Sequence, residues 1–235
     1  MEFIVGIPTV NEHELLYKAV ESARNSSCRP RQIIIVDNGR DSLVDEYEEL
    51  AFGPIQIVRG QRNLGVAASW NLMHKLAAPL PIILMNDDCV VAPNTFEKMF
   101  ERILVYGQQV VLAHGFACFT MKEEIWERVG DFDEGFYPAY WEDTDYRYRL
   151  KLREIPVDEW DTSTTGIQHG KDPANYQKWC EHQRKWFFDN LALNRERYIT
   201  KWGGPPKEET LWDPQRAPKP PYYDPSKYEC NCDCE

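Results

Sequence analysis

The sequence predicts an α/β fold: a doubly wound, mostly parallel central sheet flanked by helices, closed by a long C-terminal helix and followed by an extended Pro-rich tail. Three observations carry this expectation. Short runs rich in β-branched residues, 3–7 (FIVGI), 33–36 (IIIV), 55–58 (IQIV) and 82–85 (IILM), lack polar alternation, as strands buried on both faces do. Helix-periodic stretches fall between several of them. Each run gives way to turn formers or acids, on the side of such a sheet where ligands collect.

Taken in order, the first run leads to Pro8 and Thr9, then Asn11 and Glu12. Asn11 is placed to cap a helix, with Glu14 three residues on as in a capping box, and Leu16, Ala19, Val20 and Ala23 share one face. The second run ends in Asp37 and Asn38, and the third in the stretch Arg59 to Gly65, from which a helix runs to Ala77. The fourth ends in Asn86, Asp87 and Asp88, before a third helix from Pro93 to Tyr106. Asn, Asp and Gly favour loops for backbone reasons, which accounts for any one of these clusters. All four nevertheless converge on one rim.

From Gln109 the pattern reads as a strand (QVVLAHGFACF), a short helix from Glu123 to Val129, the loop GDFDEGFYPAY, and a helix in WEDTDYRYRLKLR. Asp145 and Arg149 have the spacing of an i,i+4 ion pair. Residues 173–202 read as a long amphipathic helix in which Tyr176, Trp179, Cys180, Phe187, Leu191 and Tyr198 are placed to cover the sheet, with Gly203-Gly204 as its stop. Seven prolines in the last 31 residues leave little regular structure. That tail ends with Cys230, Cys232 and Cys234 at alternate positions, three thiols able to bind a soft metal or join a disulfide, but without the C-x-x-C spacing of a zinc site they read first as a reduced terminus.

A chain of 235 residues with 43% apolar content can fill its own core. Its 27 basic and 38 acidic residues, a net charge of -11, oppose nonspecific binding to nucleic acid or an anionic membrane. The opening MEFIVGIPTVNEHE lacks a basic n-region, and no stretch approaches the ~18 apolar residues of a span, so neither a signal peptide nor a membrane anchor is expected. Scattered cysteines suit a reduced, cytoplasmic protein.

Asp87 and Asp88 stand at the end of a buried strand, where unpaired charge is costly. A divalent cation resolves that cost. Mg²⁺ or Mn²⁺ takes one or two carboxylates from a protein and completes its shell with water and substrate phosphates.

Five motifs in order then resemble glycosyltransferase family 2, in particular its rhamnosyltransferase-like members. They are IPTVNE; VDNGRDS; Asn63-Leu64-Gly65-Val66-Ala67 on to Asn71; Asn86-Asp87-Asp88; and Gly130-Asp131-Phe132-Asp133-Glu134-Gly135-Phe136 followed by Trp141-Glu142-Asp143-Thr144-Asp145 and Arg149. The resemblance covers residues 3 to about 170. It implies the GT-A fold over residues 1–204, with a nucleotide-sugar-binding half (1–110), an acceptor and catalytic half (111–204), and a separate tail (205–235). It also implies inverting transfer of a sugar from a UDP- or dTDP-linked donor to a glycan-type hydroxyl.

By the same resemblance Pro8, Thr9, Asn11, Glu12, Asp37 and Asn38 line the nucleoside pocket, and Arg62, Asn63, Gly65, Asn71, Asn86 and Asp87 contact the donor. Asp88 is the principal metal ligand and His169 a late one. Glu142 and Asp143 supply the base; adjacent on a helix, they point about 100° apart, so one of them faces the donor. Asp143 is the family's usual base, leaving Glu142 to orient the acceptor, while Tyr140 and Trp141 form an acceptor wall. Glu12-His13 stands where the family commonly carries Arg, and Gly39-Arg40 replaces Gly-Ser, which puts the phosphate contacts in question. A sugar nucleotidyltransferase is the nearest alternative, but IPTVNEHE lacks its glycine-rich basic loop. A noncatalytic nucleotide-sugar or glycan-binding module of the same fold is the other, against which the Glu142-Asp143 pair argues.

Overall fold

Alternation along the strands decides the layers. In the computed structural model, which describes residues 1–10, 13–39, 54–163, 165–170 and 181–211, β1 (Ile4–Thr9), β2 (Gln32–Asp37), β3 (Ile55–Arg59) and β4 (Ile82–Met85) occupy the expected apolar runs, but β3, at the sheet edge, is only partly buried and not covered on both faces as expected. Val5, Ile7, Ile33, Ile35, Ile83 and Met85 share one core with Leu16, Val20, Phe96 and Met99. Ile4, Ile34, Val36, Ile82 and Leu84 share the other with Trp70, Met73 and Ile125. Helices α1 (His13–Arg24) and α3 (Thr95–Leu104) cover the first face; α2 (Gly65–Ala77), α4 (Glu123–Val129) and α5 (Glu142–Leu152) cover the second. Each Val, Leu or Ile so buried contributes roughly 1.5–3 kcal/mol relative to exposure. Gly6 lets α2 approach closely, since a Cβ there would stand 2.7 Å from Leu84 Cδ2 and 2.9 Å from Met73 Sδ.

The sheet order is β3-β2-β1-β4-β7-β6-β8, where β6 is Val110–Phe116, β7 Cys118–Met121 and β8 Val157–Glu159. The first four of these strands run parallel, β7 runs antiparallel to β4 and β6, and β8 parallel to β6. The chain lays β2 and β3 on one side of β1, then crosses to place β4 on the other. Strand order therefore reverses between β1 and β4, and their carboxyl ends open a crevice. A separate ribbon pairs β5 (Cys89–Val90) with β9 (Gln168–His169).

Two further expectations change. QVVLAHGFACF is not one strand: Gly115 takes φ +55° and the Ala117 N–H bonds to the His114 carbonyl, so the chain reverses and β6 pairs with β7. The long helix is described as α6 (Glu181–Trp202), with Tyr176, Trp179 and Cys180 outside the described residues. Its last turns pack not on the sheet but on α5 and the loop before it, where Tyr198 and Trp202 meet Phe136, Tyr148 and Trp141. The reason is electrostatic as well as apolar, because Lys201 lies 2.8 Å from Asp133 and 2.6 Å from Asp145.

The helix ends at Gly203, φ +72°, as expected. Residues 204–211 then double back, and the rest of the expected tail lies outside the described residues. The Thr210 and Leu211 N–H groups donate to the Trp202 carbonyl at 3.0 and 2.9 Å, and Tyr148 Oη donates to the Leu211 carbonyl at 2.8 Å. Cys230, Cys232 and Cys234 lie outside the described residues. No helix among the described residues is long and apolar enough to cross a membrane.

Candidate active site

The crevice between β1 and β4 is bridged by side chains: Thr9 Oγ1 donates to Asp87 Oδ2 at 2.7 Å. Pro8 is buried within β1 beside Val36. On β2, Asp37 is buried; its Oδ1 accepts from the Gly39 N–H at 2.8 Å, and its Oδ2 lies 3.8 Å from Arg59 Nη1 with no hydrogen bond. A buried acceptor with an idle lone pair at this rim suits a ligand N–H. Arg62 is exposed on the same rim, and Asn11 and Glu12 lie outside the described residues.

The side-chain amides of Asn38 and Asn71 are engaged by the protein itself. Asn38 accepts from the Leu64 N–H at 2.8 Å and donates to Ser69 Oγ at 3.0 Å. Asn71 accepts from the Phe132 N–H at 2.8 Å and donates to the Phe132 carbonyl and Glu134 Oε1, both at 2.9 Å. Both amides are buried and taken up in bracing α2, against β2 in one case and against the loop before α5 in the other.

The two-stranded ribbon brings the expected metal ligands together. Cys89 pairs with His169 in register, the Gly170 N–H donates to the Asp88 carbonyl at 2.9 Å, and His169 Nε2 comes to 3.1 Å from Asp88 Oδ1. That separation suits an ion pair, yet the angles make no hydrogen bond, and both atoms are buried without one. Two lone-pair donors converging in this way fit a divalent cation. Cys89 Sγ is close enough to complete a group of three. Burial, foremost, raises the pKa of that thiol, which donates to the Ala117 carbonyl at 3.2 Å. Asn86, partly buried, donates its N–H to the Ala117 carbonyl at 2.8 Å, which ties this strand end to β7.

The acidic pair is set by an unusual entry to α5. Asn63 Oδ1 accepts from the Gly65 N–H at 2.7 Å, and the Val66 N–H donates to the Pro138 carbonyl at 2.8 Å. The loop before α5 therefore leans on the start of α2. Gly65 is required twice over, by φ +79° and because a Cβ would stand 2.9 Å from both Pro138 O and Tyr137 Cδ2. Tyr140 and Trp141 then take φ +71° and +77°. Left-handed conformations cost non-glycine residues about 1–3 kcal/mol each and persist only where the surroundings impose them.

Glu142 and Asp143 follow at once, and their environments differ. Glu142 is buried with Oε2 unbonded; burial, then the neighbouring Asp143 charge, drive its carboxyl well above the usual range. Asp143 is half-buried, and its Oδ1 accepts from Thr144 N–H at 2.7 Å and Thr144 Oγ1 at 3.2 Å. Of the two aromatics, Tyr140 is 45% exposed beside Phe187, whereas the Trp141 ring packs on Tyr198 at 5.4 Å.

Contacts link this pair to the ribbon. Arg147, four residues after Asp143 and so on the same helix face, has its guanidinium 5.3 Å from the Phe116 ring, and a Cβ on Gly115 would lie 3.7 Å from its Nη2. The His114 ring is 5.0 Å from that of His169, which faces Asp88. One turn beyond Asp143, α5 thus reaches the β6–β7 turn through Arg147, which also pairs with Glu159 at 2.7 Å, and the same turn carries His114 toward His169. An open depression of about 560 Å³ between α3 and β8 holds none of these residues. His114 and Arg147 carry no signal of their own in the sequence, because their contacts with His169 and Phe116 join segments distant in the chain.

Residues 4–165 match the model of a family described as glycosyl transferase family 2. Over 106 residues the chain is 32% identical to the uncharacterized glycosyltransferase YwdF of Bacillus subtilis, a match covering 44% of this chain and 38% of that protein. The chain thus spans about two fifths of that curated relative. Among solved structures, the mannosyltransferase PcManGT from Pyrobaculum calidifontis, in complex with GDP-Man and Mn²⁺, superposes with a TM-score of 0.62 at 15% identity, over 89% of this chain and 67% of that one. TarS 1–349 of S. aureus in complex with UDP-GlcNAc gives 0.60 at 11% identity, over 92% and 69%. These likenesses show a shared fold.

Proposed function

Because the chain belongs to glycosyl transferase family 2, we propose that it is an inverting, metal-dependent glycosyltransferase that moves a hexosyl group from a UDP- or dTDP-linked donor to a hydroxyl of a glycan-type acceptor. The reading rests on the convergence of Asp88 Oδ1 and His169 Nε2, buried and unbonded to each other, at the strand-order reversal of a GT-A fold. A bound divalent cation would neutralise the diphosphate leaving group there. The imidazole favours Mn²⁺ over Mg²⁺. Neighbours that bind GDP-Man with Mn²⁺ and UDP-GlcNAc support that choice of ligands.

Asp37 Oδ2 accepts from a base N–H, and Thr9 orients Asp87 toward the ribose. Asn63 and Gly65 shape the rim against which the donor lies. Asp143 takes the proton of the attacking hydroxyl on the sugar face opposite the diphosphate. Burial raises the Glu142 pKa and leaves it to orient the acceptor. Tyr140 offers its exposed ring to an acceptor sugar. Free thiols at Cys28, Cys89 and Cys118 suit a cytoplasmic setting.

The test is nucleoside diphosphate release from UDP-, dTDP- and GDP-sugars, rhamnosyl donors included, with Mn²⁺ and glycan acceptors. Asp143→Asn should retain donor binding and lose about 100- to 10,000-fold in kcat. Undiminished turnover in that variant rejects the assigned base. Pyrophosphate release from a nucleoside triphosphate identifies a nucleotidyltransferase instead, and binding without release a noncatalytic module.

A further inference from the structure

Asn194 lies near the middle of α6, buried, and outside every motif that marks the site. Its Nδ2 stands 3.1 Å from the Tyr137 carbonyl, 3.0 Å from that of Ala139 and 3.3 Å from that of Tyr140. Three acceptors around one atom fix the amide orientation, because the opposite flip would set oxygen against oxygen. The backbone it grips is the stretch that turns left-handed at Tyr140 and Trp141 and then starts α5 at Glu142. Strain of that kind needs an external hold. Further along α6, Arg197 and Lys201 pair with Asp133 at 2.9 and 2.8 Å, and Trp202 Nε1 donates to Asp145 Oδ1 at 2.8 Å.

We infer that Asn194 is a positioning residue for transfer: its amide clamps the Tyr137–Tyr140 backbone from α6 and so holds the left-handed entry that aims Asp143. The inference rests on the proposed role of Asp143. It makes α6 part of the catalytic apparatus although no α6 side chain need touch substrate. Its chemistry is that of a double N–H donor facing carbonyl oxygens. The demand is therefore for hydrogens at that point, not merely for volume.

Asn194→Asp keeps the shape and removes the donors, placing a carboxylate against three carbonyl oxygens; Asn194→Ala removes the donors without adding charge. The expected kcat order is wild type, then Ala, then Asp, with the Asp variant down about 100-fold, the scale on which a small misplacement of a reacting group acts. Binding of UDP, dTDP or GDP with Mn²⁺ should stay within about threefold at full stoichiometry, a split that general destabilisation does not produce. As pH falls from 8 to 6, protonation of the introduced carboxyl restores one donor. The ratio of Asp-variant to wild-type kcat should then rise, while that of the Ala variant stays flat. Hydrogen exchange over residues 136–145 should quicken in both variants, a readout that needs no turnover.

Unchanged exchange in that loop, or a kcat within twofold of wild type in the folded Asp variant, overturns the inference. Absence of any transfer by the wild-type chain instead rejects the proposed function, and loop exchange still decides whether the clamp exists.

Discussion

His169 Nε2 stands 3.1 Å from Asp88 Oδ1, held there by the antiparallel pairing of His169 with Cys89. The two residues meet because a ribbon of two short strands returns a distant segment to the end of β4. For His169→Ala we expect Mn²⁺ affinity, measured calorimetrically in the presence of UDP or dTDP, to fall roughly tenfold or more. Equal Mn²⁺ affinity in variant and wild type would exclude His169 from the site.

Glu142→Gln should flatten the pH dependence of stability. Burial raises the folded-state pKa of Glu142 above its ordinary 4.5. Its stability contribution is therefore complete below about pH 4.5 and declines as pH rises toward the elevated folded value. Glutamine keeps the neutral shape and cannot ionise, so the variant should equal wild type near pH 4 and exceed it at pH 8. Thermal midpoints across that range check this, and a variant less stable than wild type at pH 8 would contradict it.

Gly65→Ala should damage both fold and site. The new methyl meets Pro138 O and Tyr137 Cδ2 at 2.9 Å on a backbone with φ +79°. A loss of about 1–3 kcal/mol is expected, with a midpoint lower by roughly 2–12 °C. Displacement of the Tyr137–Pro138 backbone should also lower kcat, and a fully stable, fully active Ala variant would show that the close approach is dispensable.

Asp133→Asn should loosen the attachment of α6. Burial opposes the charge on Asp133, but Lys201 and Arg197 together hold its carboxyl below its ordinary value of 3.8. That contribution is complete above pH 3.8 and is lost as pH falls through the depressed folded pKa. The variant should be about 2–3 kcal/mol less stable at pH 7, a midpoint lower by roughly 4–12 °C. The deficit should close in strong acid, where wild-type Asp133 also protonates; a deficit independent of pH would point to packing instead.

Order and composition of the first four apolar runs, together with the polar residues after each, determined the parallel sheet, its two covered faces and the rim where Thr9, Asp37, Asp87 and Asp88 gather. These were legible because strand burial and strand-end chemistry are local: a run of isoleucines reports two apolar faces, and adjacent acids after it report a charge that needs a partner. The i,i+4 pair of Asp145 and Arg149 was legible for the same reason, and lies at 2.8 Å.

Only the tertiary structure decided what Asn38, Asn71, Trp141 and Asn194 do. An asparagine in a motif looks alike whether it faces a ligand or braces a loop, and the difference lies in which distant backbone groups reach its amide. The division between Glu142 and Asp143 had the same origin, since neighbours in sequence with one chemistry are buried unequally, and burial raises the Glu142 pKa. So did the docking of α6, whose apolar stripe reads as a cover for the sheet and whose last turns instead pack on α5 and the loop before it. Local propensity and hydrophobic period act over a few residues, whereas desolvation and hydrogen-bond partnership depend on segments that only the folded chain brings together.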